Sequence, residues 1–430
     1  MTGDTAPNFV EELRWRGLLY DMTEGADEAL TSGRVTAYIG FDPTADSLHV
    51  GSLLPIMILV HLQRHGHVPI ALVGGGTGMI GDPSGKTKER QLLSDEDLQR
   101  NLDGIRSQLS RFLRFEGVDN AALMVNNADW LRPLNLIDFL RDIGKHFTVN
   151  YMVAKDSVKM RLTSEEGISY TEFSYMLLQA YDFMVLYQQY GCTFQMGGSD
   201  QWGNITAGAE LIRRVLDGKA HAVTNPLVTT TSGVKFGKTE AGTIWLDARR
   251  TSPFRFYQFW LNTPDEDVVR YLKFFTLLGP GEVAQLERSV QEQPHLREAQ
   301  RTLAREVTRA VHGDQALAAA EQASDVLFGG EIAGLGADDL LDIFAEVPSS
   351  EVQASVLAGE GLPLVDLLVS TGLESSKKRA RQLIESGGCY VNSKRIDETE
   401  LRLGLGVAID SRVIVLRKGK KQYHLVQVTG

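Results

Sequence analysis

The segment from Thr36 to Val73 constrains this chain more than any other. Ala37-Tyr38-Ile39 makes a short apolar strand and Gly40 and Pro43 turn the chain. An amphipathic helix then runs from about Gly51 to Gly66, and Val68-Pro69-Ile70-Ala71-Leu72-Val73 is a second apolar strand bounded by turn signals. Strand, helix and strand at this spacing predict a crossover with parallel pairing, hence an α/β fold around a buried parallel sheet. The turn into the helix, at Leu48-His49-Val50-Gly51-Ser52, leaves free N–H groups that favour phosphate.

The second strand runs into Gly74-Gly75-Gly76-Thr77-Gly78-Met79-Ile80-Gly81-Asp82-Pro83-Ser84-Gly85-Lys86-Thr87. Gly76, Gly78 and Gly81 match a dinucleotide fingerprint, and Gly85-Lys86-Thr87 matches the end of a P-loop. Neither match holds: Ile80 sits where a P-loop needs its first glycine, and the fingerprint runs into Asp82-Pro83 instead of a helix. The glycines predict a close backbone approach to a flat or charged ligand, with Asp82 carrying charge into the site. On a helix through Ser169–Phe183, Tyr175, Gln179 and Asp182 fall at about 0°, 40° and −20°, so they share one side. That is either a partly exposed polar stripe or one wall of a site, since a buried Asp must be hydrogen-bonded. Gly197-Gly198-Ser199-Asp200-Gln201 follows a strand near Thr193–Met196 and opens another helix, with Asp200 suited to ribose hydroxyls. Ser232–Thr239 is a polar, glycine-punctuated loop with Lys235 and Lys238 three apart.

A chain of 430 residues, 43% hydrophobic and 23% charged, has room for two or three domains of ordinary globular composition. Its acidic N-terminus lacks a basic start followed by an apolar run, which predicts no targeting segment, and no apolar run approaches the roughly 18 residues of a membrane span. Cys192 and Cys389 stand far apart, so neither a disulfide framework nor a zinc site is indicated and a reducing cytoplasm is expected. The net charge of −11 hides an asymmetry: residues 363–430 carry 12 Lys and Arg against 7 Asp and Glu, a net of +5, which leaves −16 for residues 1–362. The basic part is a tail, where charge would track an RNA backbone.

Taken together, His49-Val50-Gly51-Ser52 and Lys235-Phe236-Gly237-Lys238-Thr239 resemble the motif pair of class I aminoacyl-tRNA synthetases, His-Ile-Gly-His and Lys-Met-Ser-Lys-Ser, in the tyrosyl branch. Ser52 replaces the second His. The resemblance covers essentially the whole chain and implies a Rossmann-like parallel-sheet catalytic domain over 1–250, an α-helical domain touching the anticodon arm over 251–332, a linker over 333–362 and a small α+β RNA-binding domain over 363–430. It implies tyrosine binding by Tyr38, Asp82, Tyr175, Gln179, Asp182 and Gln201, and ATP binding by Gly40, Asp42, His49, Gly51, Gly198, Asp200 and Lys238. Thr44, His49, Ser52, Lys86, Arg90, Lys235, Lys238 and Thr239 would act on the phosphates. Lys377, Lys378, Arg379, Arg381, Arg417, Lys418, Lys420 and Lys421 would contact tRNA. The expected activity joins L-tyrosine to ATP, with magnesium bound to the nucleotide, and then to tRNA(Tyr), in a cytoplasmic homodimer with neither DNA nor membrane as partner. The stretch from Leu134 to Arg161 reads as helical, with apolar Leu136, Ile137, Leu140, Ile143 and Phe147 forming either a core stripe or the dimer contact. A tryptophanyl enzyme, a catalytically inactive RNA-binding relative and a small-molecule nucleotidyltransferase are the competing readings.

Overall fold

The structure, a computed structural model, describes residues 8–82, 94–163, 167–231, 236–239, 242–327, 329–332, 334–345, 347–419 and 422–430; for Asp156, Ser157, Met160, Lys238 and Thr239 it describes the backbone alone. Lys86, Arg90, Lys235, Lys420 and Lys421 lie outside the described residues. The chain forms two compact units, Met1–Arg250 with Thr263–Val311, and Thr251–Asn262 with His312–Gly430.

The first unit is built on six strands: β1 (Asp21–Met22), β2 (Thr36–Phe41), β3 (Val68–Val73), β4 (Leu123–Asn126), β5 (Cys192–Gly198) and β6 (His221–Asn225). Their order is β1-β6-β5-β2-β3-β4, parallel throughout except for β1. The expected α/β class and the β2–helix–β3 crossover are both present. The connecting helix, Leu53–Arg64, buries nearly every side chain from Leu53 to Leu62, as an apolar helix between sheet and neighbours must. β2 has β3 on one side and β5 on the other, so the winding reverses there, and ligands of open α/β sheets bind beyond the carboxyl ends of the strands at such a reversal. The helix Tyr170–Tyr190 packs closely on Trp202–Leu216, where a Cβ at Gly208 would lie 2.9 Å from the Phe183 ring.

The stretch from Leu134 to Arg161 is broken into Leu136–Asp142, one 3₁₀ turn and two short helices, Val149–Val153 and Asp156–Leu162. Asn135 and Thr148 restart the chain by accepting backbone N–H groups through their side chains. Phe139 and Ile143 turn into the core, whereas Leu136 (65% exposed), Ile137 (67%), Leu140 and Val149 do not. Among the described residues, no helix is long and apolar enough to cross a membrane.

In the second unit a five-stranded sheet runs in the order Lys394–Ile396, Cys389–Val391, Val413–Lys418, Gln422–Thr429, Ser349–Gln353, with the last pair parallel. Ile414, Leu416 and Val426 face a core that includes Leu364, Leu368 and Ile384 of the helices Leu364–Ser370 and Lys377–Glu385, and Val413, Val415 and Leu425 face a second core with Phe344. The stretch 333–362, expected as a linker, is corrected here: it holds the helix Ala337–Ile343 and the edge strand Ser349–Gln353. Its polar, glycine-rich composition hides the strand because only Ser350 and Val352 of Ser349–Gln353 are even half-buried.

Candidate active site at the sheet reversal

Tyr38 lies in β2 and is 1% exposed, its ring edge-on to Phe183 at 5.4 Å. Its hydroxyl is buried and meets no hydrogen-bond partner among the described residues; the same is true of Oε1 of Gln195, its register partner across β2 and β5. Paired residues of parallel strands project from the same face, so two orphaned polar atoms share one side of the sheet. Leaving a buried polar group unsatisfied costs about 1–3 kcal/mol, a cost native structures avoid unless a ligand removes it.

Asp182, also 1% exposed, closes this pocket from the helix Tyr170–Tyr190. Asn127 Nδ2 donates to its carboxylate at 2.9 Å and Trp130 Nε1 at 2.7 Å. Burial raises its pKa to about 7 against the opposing pull of these two donors. Burial likewise holds the Tyr38 phenol well above its ordinary range, and the nearby Asp182 charge adds to the effect. Asn127 and Trp130 escaped the sequence reading. Their only signal was a polar Asn126-Asn127 pair ending an apolar run, since the partner they serve lies 55 positions away for Asn127.

Beside this pocket lies a polar network. Gln201 Nε2 donates to Asp82 at 2.8 Å, Gln179 Nε2 to Gln201 Oε1 at 3.3 Å, and Asn204 Nδ2 to Gln179 Oε1 at 3.0 Å. The structure thus brings Asp82, Gln179 and Gln201 together, while the Tyr175 hydroxyl donates to Asp42 at 3.3 Å. Asp42 follows β2 and also accepts from Thr77 Oγ1 at 3.5 Å.

The glycines after β3 let the backbone lie close against the protein's own polar side chains. Gly75 N–H donates to Asn126 Oδ1 and Gly76 N–H to Asn127 Oδ1 at 2.7 Å. A Cβ at Gly75 would sit 2.2 Å from Asn126 Oδ1, and one at Gly74 2.8 Å from Asp42 Oδ1. The backbone closes on the protein's own polar side chains, which hold the pocket walls.

At the first motif, Val50–Ser52 forms one 3₁₀ turn before the helix, and His49 Nδ1 accepts from Gly51 N–H at 3.0 Å. A Cβ at Gly51 would lie 2.8 Å from the His49 ring, so only glycine permits this fold-back. The segment that follows the second motif docks here: Val50 N–H donates to Ile244 O, Leu246 N–H to Leu48 O, and Trp245 packs edge-on to His49 at 6.2 Å. Lys238–Thr239 pairs with Gly242–Thr243 as a short hairpin. Gly40 is exposed with open space above it, and Thr44 is exposed. A Cβ at Gly198 would meet Asp200 Oδ1 at 2.6 Å, so the carboxylate lies over the Gly198 backbone at the end of β5. Residues expected on the tyrosine side and residues expected on the nucleotide side therefore converge on the ends of β2 and β5.

The tail cations separate into two groups. Lys378 and Arg379 are exposed and form no ion pair among the described residues, while Lys377 pairs with Asp366 at 2.6 Å and Arg381 lies 3.9 Å from Glu400. Arg417, expected to face RNA, is instead 8% exposed, its guanidinium 3.7 Å from the Tyr390 ring centroid and 5.9 Å from that of Tyr423. Lys418 donates to Leu373 O at 3.0 Å and pairs with Glu374 at 2.9 Å. Arg417 is buried because the strand Val413–Lys418 is covered on both faces, whereas Lys418 at its end stays half-buried beside Glu374.

Residues 30–329 match the family described as tRNA synthetases class I (W and Y), and residues 339–426 match the tyrosine–tRNA ligase SYY-like C-terminal domain. That match, over a parallel sheet whose winding reverses at β2, defines a class I aminoacyl-tRNA synthetase. The chain is 58% identical to the tyrosine–tRNA ligase of Roseiflexus castenholzii, over 97% of this chain and 99% of that protein, and 52% identical to that of Geobacillus kaustophilus, over 98% and 99%. A C-terminally truncated mitochondrial tyrosyl-tRNA synthetase from Aspergillus nidulans superposes with a TM-score of 0.69 at 33% identity, covering 76% of this chain and 95% of that one. This chain belongs to the bacterial tyrosine–tRNA ligase family.

Proposed function

We propose that the site at the ends of β2 and β5 activates L-tyrosine with ATP and delivers the tyrosyl group to the 3′-terminal ribose of tRNA(Tyr). The observation that carries the substrate is the orphaned Tyr38 hydroxyl beside the buried Asp182 carboxylate. A phenolic hydroxyl entering there accepts from one and donates to the other. An indole offers no oxygen to this pair, which favours tyrosine over tryptophan.

Asp82, Tyr175 and Gln179 take the ammonium group, and Gln201 faces the reacting carboxylate. A carboxylate oxygen attacks the α-phosphorus of ATP; the bond to the bridging oxygen breaks and pyrophosphate leaves, giving tyrosyl-adenylate. A terminal ribose hydroxyl of tRNA then attacks the adenylate carbonyl, loses its proton and displaces AMP. No side chain becomes acylated, so catalysis rests on holding the reactants in line and on stabilising charge as it develops. Gly40, Asp42, Gly51, Gly198 and Asp200 seat the nucleoside, Thr44, His49 and Ser52 meet its phosphates, and Lys86, Arg90, Lys235, Lys238 and Thr239 follow the pyrophosphate. Magnesium comes with the nucleotide as part of the substrate. Lys378 and Arg379 track the tRNA backbone, and the enzyme works in the cytoplasm.

The exposed Leu136, Ile137, Leu140 and Val149 face a second copy of the chain. Ile137→Asp is expected to shift the protein to monomer in sedimentation velocity; an unchanged mass removes this surface from the dimer.

Pyrophosphate exchange across the twenty amino acids tests the reading. Exchange is expected with tyrosine, and Asp182→Ala, still folded by circular dichroism, is expected to lose it by roughly 100-fold or more. Undiminished exchange in Asp182→Ala removes the pocket assignment.

A further inference from the structure

The residues on both sides of positions 232–235 are fastened to one helix, Asp265–Phe275. Upstream, Thr231 donates to the Asp267 carboxylate from its N–H at 3.2 Å and from Oγ1 at 2.6 Å. Arg270 Nη2 donates to Thr229 O at 2.5 Å and to Asp267 at 2.6 Å, and the Tyr271 hydroxyl donates to the same Thr229 carbonyl at 3.3 Å. Downstream, the buried Phe236 ring lies parallel to Phe275 at 5.5 Å and edge-on to Tyr271 at 5.1 Å. Asp267 is itself 1% exposed. A buried carboxylate is costly unless its hydrogen bonds are made, and two of those at Asp267 come from Thr231 at the root of the second motif.

We propose that Asp267, Tyr271 and Phe275 are positioning residues for the activation step. They fix Thr231 and Phe236, the two roots of the segment that carries Lys235 and Lys238, and so set where these lysines meet the departing pyrophosphate. This rests on the tyrosine-activating reading above. Its physical basis is that charged groups held in place before the reaction lose less freedom in meeting the transition state. Pyrophosphate has left before the tyrosyl group moves to tRNA, so the effect is confined to the first chemical step.

The test uses the full-length enzyme and three readouts: adenylate formation by rapid quench, tyrosine affinity at equilibrium, and transfer to tRNA from preformed enzyme-bound adenylate. Phe275→Ala is expected to slow adenylate formation by about 10- to 100-fold while tyrosine affinity stays within about twofold and transfer is unchanged. Phe275→Leu, which refills the socket, is expected to recover most of the rate. Phe236→Ala combined with Phe275→Ala is expected to be little worse than either alone, because both remove the same contact. An unchanged activation rate overturns the proposal, and so does a parallel fall in all three readouts, which marks a general packing role. Should Phe275→Ala fail to fold, Phe275→Leu and Asp267→Asn are judged by the same split, each with a smaller loss in the first readout alone. A wild-type enzyme without tyrosine-dependent exchange would sink the functional reading instead.

Discussion

Asp182 carries the most consequential charge in the molecule. Burial raises its pKa to about 7, whereas an unfolded Asp titrates near 3.9. Between those values the folded state holds a proton that the unfolded chain has released, so this group's contribution to stability falls as pH rises through the window. Below about 3.9 both states are protonated and the penalty vanishes; above about 7 it is complete. The thermal midpoint of Asp182→Asn relative to wild type is therefore expected to move in favour of the variant between pH 4 and pH 8, and a difference independent of pH refutes the burial argument. Tyrosine affinity carries the opposite sign, because the ionised carboxylate is the better acceptor for a phenol. The wild-type dissociation constant is expected to rise as pH drops through about 7 and to stay flat in Asp182→Asn, measured by fluorescence titration. The sharing of one helix side by Tyr175, Gln179 and Asp182 was legible from their spacing. The donors Asn127 and Trp130 were not, because the contact exists only once β4 is laid beside β3.

At the scale of elements, the parallel crossover from β2 to β3 was legible because strand and helix periods alternate over Thr36–Val73 without conflict. The sheet order was not: nothing local says that β5, far along the chain, pairs with β2 and places the reversal there. The same blindness applies to Arg16. Its guanidinium, 3% exposed, donates to Lys273 O, Thr276 O and Leu278 O at 2.8 to 3.0 Å, closing the C-terminal end of the helix Asp265–Phe275, and it pairs with Glu12 at 2.7 Å. An arginine in a short N-terminal helix gives no sign of that. Arg16→Met leaves three carbonyls and a carboxylate without their cation, and is expected to cost about 3 kcal/mol or more of stability in urea unfolding. A loss below about 0.5 kcal/mol, the level of an ordinary surface substitution, shows that water replaces the guanidinium.

At the scale of the whole molecule, the basic balance of residues 363–430 announced a surface for a polyanion, but charge counting cannot say which cations are free to meet it. The strand pairing decides that: Arg417 is committed to Tyr390 and Tyr423, and Lys418 to Glu374, whereas Lys378 and Arg379 stay exposed. Each phosphate neutralised by a free cation releases counterions and steepens the salt dependence of binding by about 0.7 to 0.9 in log–log slope. The double variant Lys378→Ala with Arg379→Ala is therefore expected to weaken tRNA binding and to flatten the slope of log affinity against log salt by about 1 to 2. Arg417→Ala is expected to leave the slope unchanged while lowering the stability of the tail, since its charge is spent on two rings and a carbonyl. Filter binding across a salt series separates the two outcomes: a slope that falls with Arg417→Ala and holds in the double variant would place the RNA on the other side of this sheet.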